Sequence, residues 1–144
     1  MGRYDFVEGI ALADCAVDVE GGDLADLFET AALALAELMV DPATVPTTVR
    51  RTVTLGAETV DLLLYDWLSE LIFRKDRDRE VYTGARVVVS ADGGGPCRLS
   101  AEIEGGVIDR ARTELRADPK AVTFHQFRVE RTERGWQARI VIDI

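Results

Sequence analysis

The chain has 144 residues, enough to bury an apolar core without disulfides, and its 26 Asp and Glu against 17 Lys and Arg give a formal net charge of -9. That charge repels a phosphate backbone, so it argues against direct, non-specific nucleic-acid binding and favours a basic protein partner or a cation. Signal-peptide and membrane-spanning patterns are missing from the sequence, and Cys15 and Cys97 are too few for a disulfide scaffold. We therefore expect a cytoplasmic protein, with no membrane association, that forms one domain over residues 1–144.

The first elements of the chain are a predicted strand and a predicted amphipathic helix. Apolar residues alternate loosely with polar ones over residues 10–19, which indicates a strand with acids on its second face. After a Gly-Gly pair, Asp23 can cap a helix whose apolar residues recur at helical spacing as far as Met39. Asp41-Pro42 should then stop that helix, because the residue before a proline disfavours the helical conformation.

A short strand over residues 49–55 precedes a second predicted helix over residues 59–75. The apolar face of this helix is wider than usual, which favours a helix packed on a sheet and leaves a partner-binding face as the alternative. The charged run K-D-R-D-R-E at residues 75–80 follows it. Since its charges cancel, we interpret this run as a solvated loop and not as a basic patch.

The second half of the chain has the patterns of β structure. Strands are predicted at residues 81–90 and 98–104, on either side of the hairpin sequence A-D-G-G-G-P, and alternation continues at residues 111–115. Val122 and Phe124 occupy even positions of this segment, whereas Phe127 and Val129 occupy odd positions. The apolar side chains can stay on one face of a strand only if an extra residue is inserted between them, so a β-bulge is expected near His125 or Gln126. Two early helices and a series of late strands predict an α+β fold, a two-layer sandwich with two helices packed on a largely antiparallel sheet.

The last residues predict a terminal strand preceded by a hairpin turn at residues 133–135. Every second residue from Trp136 to Ile144 is apolar, which is the period of a strand with one buried face. Asp143 then lies on the opposite face, one residue from the α-carboxylate of Ile144. Two negative groups in a terminal strand raise the question of what they bind.

Few residues are available for catalysis. The chain has one histidine, His125, and no serine falls in a nucleophile-elbow pattern, while the glycines form no phosphate-binding loop. A conventional hydrolase is therefore disfavoured, and a metal-dependent hydrolase acting alone is a minor third hypothesis. Carboxylate and carbonyl oxygens remain, and these are ligands for hard cations.

Several segments along nearly the whole chain, taken together, resemble the archease family. They are F-V-E (6–8), A-D (13–14), L-A-D-L-F-E-T-A-A-L-A-L (24–35), L-L-Y-D-W-L-S-E-L-I-F (63–73), K-A-V-T-F-H (120–125) and W-Q-A-R-I-V-I-D-I (136–144). The resemblance implies a small acidic protein that is not an enzyme. Such a protein is a cofactor that promotes guanylylation and multiple turnover of an RtcB-type RNA ligase in tRNA splicing and RNA repair.

The resemblance also implies a divalent-cation site formed by Asp14, Asp143 and the last residue, Ile144. Ca²⁺ is the first expectation for the cofactor, with Mg²⁺ or Mn²⁺ as alternatives, because all three accept hard oxygen ligands. The residue pattern alone favours solvent-facing side chains for both aspartates, since exposed Asp is ordinary, and the resemblance reverses that preference. Lys120 and His125 lie in the K-A-V-T-F-H segment and are candidates for contacting the ligase or its guanylate. On pattern alone they would be a surface cation and a structural histidine.

The sequence departs from the family pattern at two histidine positions. A-L-A-D stands where the family has H-T-A-D, so Ala11 replaces one histidine, and Thr113 stands at the position of a second. The metal-site aspartates are retained, whereas a histidine-assisted coordination is not. The second hypothesis is therefore a divalent-cation-binding interaction or chaperone-like module that is no longer tied to RNA ligation.

Overall fold

The computed structural model describes residues 2–7, 14–91 and 95–144, and in that part of the chain it contains two α-helices and seven strands. The elements in chain order are β1 (Arg3–Val7), β2 (Asp14–Gly21), α1 (Leu24–Met39), β3 (Val49–Ala57), α2 (Val60–Asp78), β4 (Glu80–Ser90), β5 (Cys97–Val107), β6 (Ala121–Thr132) and β7 (Gly135–Asp143), with a short 3-10 helix at Pro42–Thr44. The predicted α+β class is confirmed. Neither α1 nor α2 has the length and apolar character needed to span a lipid bilayer.

The strands form two antiparallel sheets. The first has the order β1-β2-β7-β6 and the second has the order β3-β5-β4. The sequence predicted helices on a largely antiparallel sheet, and the structure keeps that arrangement but divides the strands between two sheets. The last strand enters between β2 and β6, and this long-range pairing cannot be read from the period of any single strand.

Helix α1 begins and ends where the sequence predicts. The Asp23 carboxylate accepts a hydrogen bond from the Asp26 N–H at 2.8 Å, and the helix stops just before Asp41-Pro42. The helix packs on β2 of the first sheet and on β4 of the second. Glu29 also accepts a hydrogen bond from the Val87 N–H of β4 at 2.8 Å, which protects part of that edge strand.

Helix α2 packs on both sheets and contacts α1 through a buried tryptophan. Trp67 is fully buried, and its indole N–H donates to the carbonyl of Phe28 in α1 at 3.0 Å. The helix packs on β3, β4 and β5 of the second sheet and on β6 of the first. The central stripe of its apolar face is core, as predicted, whereas Leu62 and Phe73, which widen that face, are exposed. The largest fully buried side chains are Trp67, Phe28, Leu27, Leu35, Leu63, Leu64, Leu68, Leu99, Ile103, Ile140, Ile142 and Val17.

The prediction of a solvated loop at residues 75–80 is wrong. Helix α2 continues to Asp78, and Lys75 is buried in its last turn. The Lys75 ammonium donates to the Asp118 carboxylate and, at 2.7 Å, to the Pro119 carbonyl. Desolvation lowers the pKa of Lys75, but the hydrogen bonds to carboxylates outweigh it and hold the pKa above its usual value.

Glu80, at the end of the same charged run, is buried at the start of β4. Its carboxylate accepts hydrogen bonds from the Arg51 guanidinium at 3.2 and 2.8 Å and from the Tyr82 hydroxyl. The hydrogen bond from Arg51 is the main reason why the pKa of Glu80 lies below its usual value. The two buried charges of this run, Lys75 and Glu80, are thus paired with residues distant in the chain, which a local sequence pattern does not reveal.

The predicted strand at residues 111–115 is also not formed. Its residues belong to a turn, in which the Thr113 N–H donates to the Asp109 carbonyl at 2.7 Å and the Thr113 hydroxyl accepts from the Asp109 N–H at 3.0 Å. Leu115 makes only an isolated bridge to Val40.

The predicted bulge in β6 is confirmed, because its register with β7 shifts between Thr123 and Arg128. Residues 10–13 and 92–94, which include parts of a predicted strand and hairpin, lie outside the described residues.

Trp67→Phe should destabilise the protein by roughly 2–3 kcal/mol, because it removes the buried hydrogen bond from the indole N–H to the Phe28 carbonyl and removes volume from the core. Urea unfolding monitored by circular dichroism measures this difference. The control is Trp136→Phe, since Trp136 is partly exposed and contacts Arg131. Equal destabilisation by the two substitutions would contradict the role of Trp67 as the contact between the helices.

Arg51→Met should lower the urea midpoint at pH 7, because the buried Glu80 carboxylate loses its cation. Glu80 stabilises the wild type above its unfolded-state pKa, and that contribution is lost as the pH falls through its depressed folded-state pKa. In the variant the carboxylate protonates at a higher pH, so the difference between the two proteins should shrink below about pH 4.5. Unfolding curves over pH 3–8 measure this.

The matched control for this substitution is Arg50→Met. Arg50 is exposed and lies 3.5 Å from Glu104, in a pair open to solvent. A midpoint that changes equally in the Arg50 and Arg51 variants at every pH would contradict the proposed importance of the Glu80 pair.

Candidate metal centre

The two predicted metal-site aspartates lie side by side in the first sheet. The register of the antiparallel strands places Asp14, the first residue of β2, directly opposite Asp143, the last residue of β7. Asp143 in turn lies opposite Ala121 of β6, and Ile144 follows it. Side chains that are directly opposite in antiparallel strands share a face, with Cβ atoms about 4.5–5.5 Å apart. Both carboxylates can therefore reach one ion.

This face of the sheet is buried immediately beside the aspartates. The next row along the strands pairs Ala16 with Val141, and both residues have 0% exposure, although they lie on the face opposite to the main core. Thr123 is opposite Val141, and its buried hydroxyl has no hydrogen-bond partner among the described residues. Asp14 and Asp143 are only partly exposed. They therefore stand at the margin of a covered surface, where water screens their repulsion less than it would in bulk solvent.

In the third pair of residues on this face, an arginine neutralises the carboxylate of an aspartate. Asp18 lies opposite Arg139, whose guanidinium donates two hydrogen bonds of 2.8 Å to its carboxylate. This contact holds the pKa of Asp18 below its usual value. Within the described ranges, no ion pair or side-chain hydrogen bond reaches the carboxylate of Asp14 or Asp143. Among the described residues, an arginine thus pairs with Asp18 on this face, whereas no basic side chain pairs with Asp14 or Asp143.

The donors at this site are oxygens of the type that hard cations bind. No group of three or more His, Cys, Asp or Glu side chains with metal-binding geometry occurs in residues 2–7, 14–91 and 95–144. A site here would therefore rest on the two aspartates and on a main-chain donor such as the carboxylate of Ile144. Two or three protein oxygens completed by water suit Ca²⁺, Mg²⁺ or Mn²⁺ better than they suit Zn²⁺.

The other predicted site residues take different positions relative to the aspartates. Lys120 is next to them in space, because its N–H donates to the carbonyl of Asp143 at 2.7 Å, and its side chain is exposed. His125 is exposed in the bulge of β6, two residues beyond Thr123, the last residue paired before the bulge. Thr113 is held in the turn with Asp109, and Ala11 lies outside the described residues.

Sequence reasoning missed two features near this site. One is the buried Thr123 hydroxyl, which has no signature in a sequence. The other is an aromatic cluster in which Phe124 of β6 stacks on Tyr65 of α2, with ring centroids 4.2 Å apart. The shift of the apolar residues from even to odd positions around His125 predicted an irregular strand at this point. It did not predict the contact between Phe124 and Tyr65.

Comparisons of the sequence with known proteins give one consistent result. A model of the archease protein family (MTH1598/TM1083) matches residues 4–144. Protein archease of Archaeoglobus fulgidus is 36% identical over 143 residues, and the match covers 99% of both chains. Protein archease of Thermococcus gammatolerans is 35% identical over 145 residues, covering 100% of both chains.

Solved structures agree with the sequence relatives. The solution structure of protein 1598 of Methanobacterium thermoautotrophicum matches with a TM-score of 0.79 at 32% identity and covers 98% of both chains. The crystal structure of an archease from Thermotoga maritima has a TM-score of 0.63 at 17% identity, with 96% of this chain and 97% of that chain covered, which is a likeness of fold. The match over nearly the whole chain, together with the shared fold, shows that this protein belongs to the archease family.

Proposed function

We propose that this protein is a non-enzymatic cofactor of an RtcB-type RNA ligase and promotes guanylylation and multiple turnover of that ligase in tRNA splicing and RNA repair. Membership of the archease family supports the proposal. The net charge of -9 favours action through a protein partner over direct binding of RNA by this chain. The ligase, in this proposal, carries the active site.

The proposal includes a divalent-cation site formed by Asp14, Asp143 and the α-carboxylate of Ile144. The observation that carries it is the direct opposition of the two aspartates on neighbouring strands. Like charges placed opposite one another destabilise a sheet, so a fold that keeps this pair gains from a cation between them. The oxygen donors fit Ca²⁺ first and Mg²⁺ or Mn²⁺ as alternatives.

In this proposal, backbone hydrogen bonds of the sheet fix the position of the metal-binding residues. Pairing of β7 with both β2 and β6 fixes the backbone of Asp143, and the Lys120 N–H holds its carbonyl at 2.7 Å. The Asp14 and Asp143 side chains would then bind the cation at the margin of this face, where both are partly exposed. A cation held there would supply positive charge, with coordination positions open to a phosphate group of the ligase reaction.

A second candidate function is a divalent-cation-binding interaction module with chaperone-like activity. Two observations favour it. The Thermotoga maritima protein that shares the fold has been described as a possible chaperone. In addition, Thr113 is engaged in a turn, so it offers no histidine-like ligand to the aspartates. This candidate keeps the cation site but not the RNA ligase.

Divalent cations should raise the melting temperature of the wild type in a concentration-dependent way, because they bind the folded state alone. Asp14→Asn and Asp143→Asn should each weaken binding at least about tenfold, since each keeps the shape but removes one of the charged ligands. Extension of the chain by two glycines after Ile144 should weaken binding as well. Calorimetric titration with Ca²⁺, Mg²⁺ and Mn²⁺ measures these affinities.

The control for this experiment is Asp18→Asn. Asp18 lies on the same face of β2 but is paired with Arg139, so its loss should leave cation affinity within about twofold of wild type. Equal affinity in the wild type, both site variants and the extended chain would show that Asp14 and Asp143 are ordinary exposed acids.

Addition of the protein to the RtcB-type ligase of the same organism should increase the rate of ligase guanylylation and the number of turnovers per ligase. The effect should appear at substoichiometric levels of the protein, because a cofactor acts repeatedly, and Asp143→Asn should reduce it at least about tenfold. Guanylylation with labelled GTP and RNA joining under multiple turnover measure these quantities. If the ligase is unaffected while the protein suppresses aggregation of an unfolded client, the chaperone-like candidate is correct.

A further inference from the structure

One polar atom of the first sheet is buried without a partner, on the face opposite to the main core. In the described part of the chain, the hydroxyl oxygen of Thr123 is the single buried side-chain nitrogen or oxygen atom that makes no hydrogen bond. Buried polar groups are almost always hydrogen-bonded, because an unpartnered hydroxyl loses its bonds to water on folding and gains none in return. Such an atom in a native fold is typical of a place where a bound water or ion supplies the missing partner.

The surroundings of this hydroxyl explain why the neighbouring side chains give it no partner. Thr123 lies opposite Val141, which in turn lies opposite Ala16, and both of these apolar residues are fully buried. Arg128, the next paired residue of β6, has an exposed side chain whose guanidinium lies 3.7 Å from the carboxylate of Glu130. A partner for the hydroxyl must therefore come from other residues along the strands or from a bound molecule.

Two pairs of polar residues flank this position along β2 and β7. On one side, Asp18 and Arg139 satisfy each other through two hydrogen bonds of 2.8 Å. On the other side, Asp14 lies opposite Asp143, and neither carboxylate has an ion pair or a side-chain hydrogen bond to another described residue. The hydroxyl that lacks a partner thus lies beside the two carboxylates that lack a cation.

The register also indicates how Thr123 could reach the aspartates. Asp143 is two residues from Val141, so Thr123 and Asp143 are diagonal neighbours on one face of the sheet. Diagonal neighbours in antiparallel strands have Cα atoms about 7–8 Å apart, and the side chains of these two residues share no hydrogen bond. A threonine hydroxyl is short, so a contact across this gap suits a bridging water. Cations held by few protein ligands keep such waters in their coordination.

We propose that Thr123 is a positioning residue of the candidate cation site. Its hydroxyl oxygen accepts a hydrogen bond from a water molecule that is bound to the cation between Asp14 and Asp143. This inference rests on the cation site of the proposed function and adds a residue to it. Groups that hydrogen-bond to the ligands of a metal ion orient those ligands, and their loss weakens metal binding by about 10–100-fold.

The test compares Thr123→Val with Thr123→Ser in the full-length protein. Valine has nearly the shape of threonine but lacks the hydroxyl, whereas serine keeps it. Thr123→Val should weaken Ca²⁺ binding about tenfold in calorimetric titration, and Thr123→Ser should stay within about threefold of the wild type. Thr132→Val is the matched control, because Thr132 lies on the same face at the far end of β6, opposite Gly135, and should keep the affinity of the wild type.

Thermal unfolding separates this role from a purely structural one. In EDTA, Thr123→Val should leave the melting temperature unchanged or raise it, because the hydroxyl that it removes is buried without a partner. In Ca²⁺, the same variant should gain less in melting temperature than the wild type, since weaker binding stabilises the folded state less. A variant that loses as much stability in EDTA as in Ca²⁺ would assign the hydroxyl to the fold and would overturn the inference.

The titrations also distinguish failure of this inference from failure of the proposed cation site. Equal Ca²⁺ affinity of the wild type and Thr123→Val, together with weakened binding by Asp143→Asn, overturns the role of Thr123 but leaves the cation site standing. Equal weakening by Thr123→Val and Thr132→Val overturns it as well, because the effect is then not specific to the site. If the wild type binds neither Ca²⁺, Mg²⁺ nor Mn²⁺, the cation site is wrong and the role of Thr123 is wrong with it.

Discussion

The structure depends on burial of two helices against both sheets in one apolar core. Each sheet has an apolar face that must be covered, and each helix contacts strands of both sheets. The hydrogen bond from the Trp67 indole to the Phe28 carbonyl connects the helices at the centre of this core. The orientation of the first sheet, and therefore of the strand that carries Asp143, follows from this packing.

Register within the first sheet is the second constraint. A shift of one residue between β2 and β7 would move every side chain of one strand to the other face, so burial of Val17 and Ile140 in the core fixes the pairing. The opposition of Asp14 and Asp143 follows from the same register, three residues along each strand from those core residues. The candidate metal centre is thus positioned by backbone pairing and core packing, and it needs no dedicated loop.

The distribution of charge separates structural acids from candidate functional acids. Asp18 and Glu80 are paired with arginines of other elements, and Lys75 is paired with Asp118, so these groups connect elements within the fold. Among the described residues, Asp14 and Asp143 have no such partner. Lys120 lies next to them, since its N–H donates to the carbonyl of Asp143, and its side chain is exposed.

The sequence alone determined the elements whose signals are local. Hydrophobic periodicity predicted both helices and the cap at Asp23 predicted the start of the first, while the change of apolar face in β6 predicted its bulge, because side-chain period and backbone conformation are directly coupled. The family resemblance and the candidate roles of Asp14 and Asp143 were also readable from the residues. None of these inferences required knowledge of how distant segments pair.

Tertiary structure decided everything that depends on partners far apart in the chain. The run at residues 75–80 was predicted to be solvated, yet Lys75 and Glu80 are buried, because Asp118 and Arg51 neutralise them from other elements. Residues 111–115 alternate like a strand, but within the described part of the chain their strand pairing is limited to the isolated bridge from Leu115 to Val40, and the segment contains a turn. The division into two sheets, the opposition of Asp14 and Asp143, and the stacking of Phe124 on Tyr65 likewise arise only when the chain is folded, since long-range pairing and packing are set by the whole core.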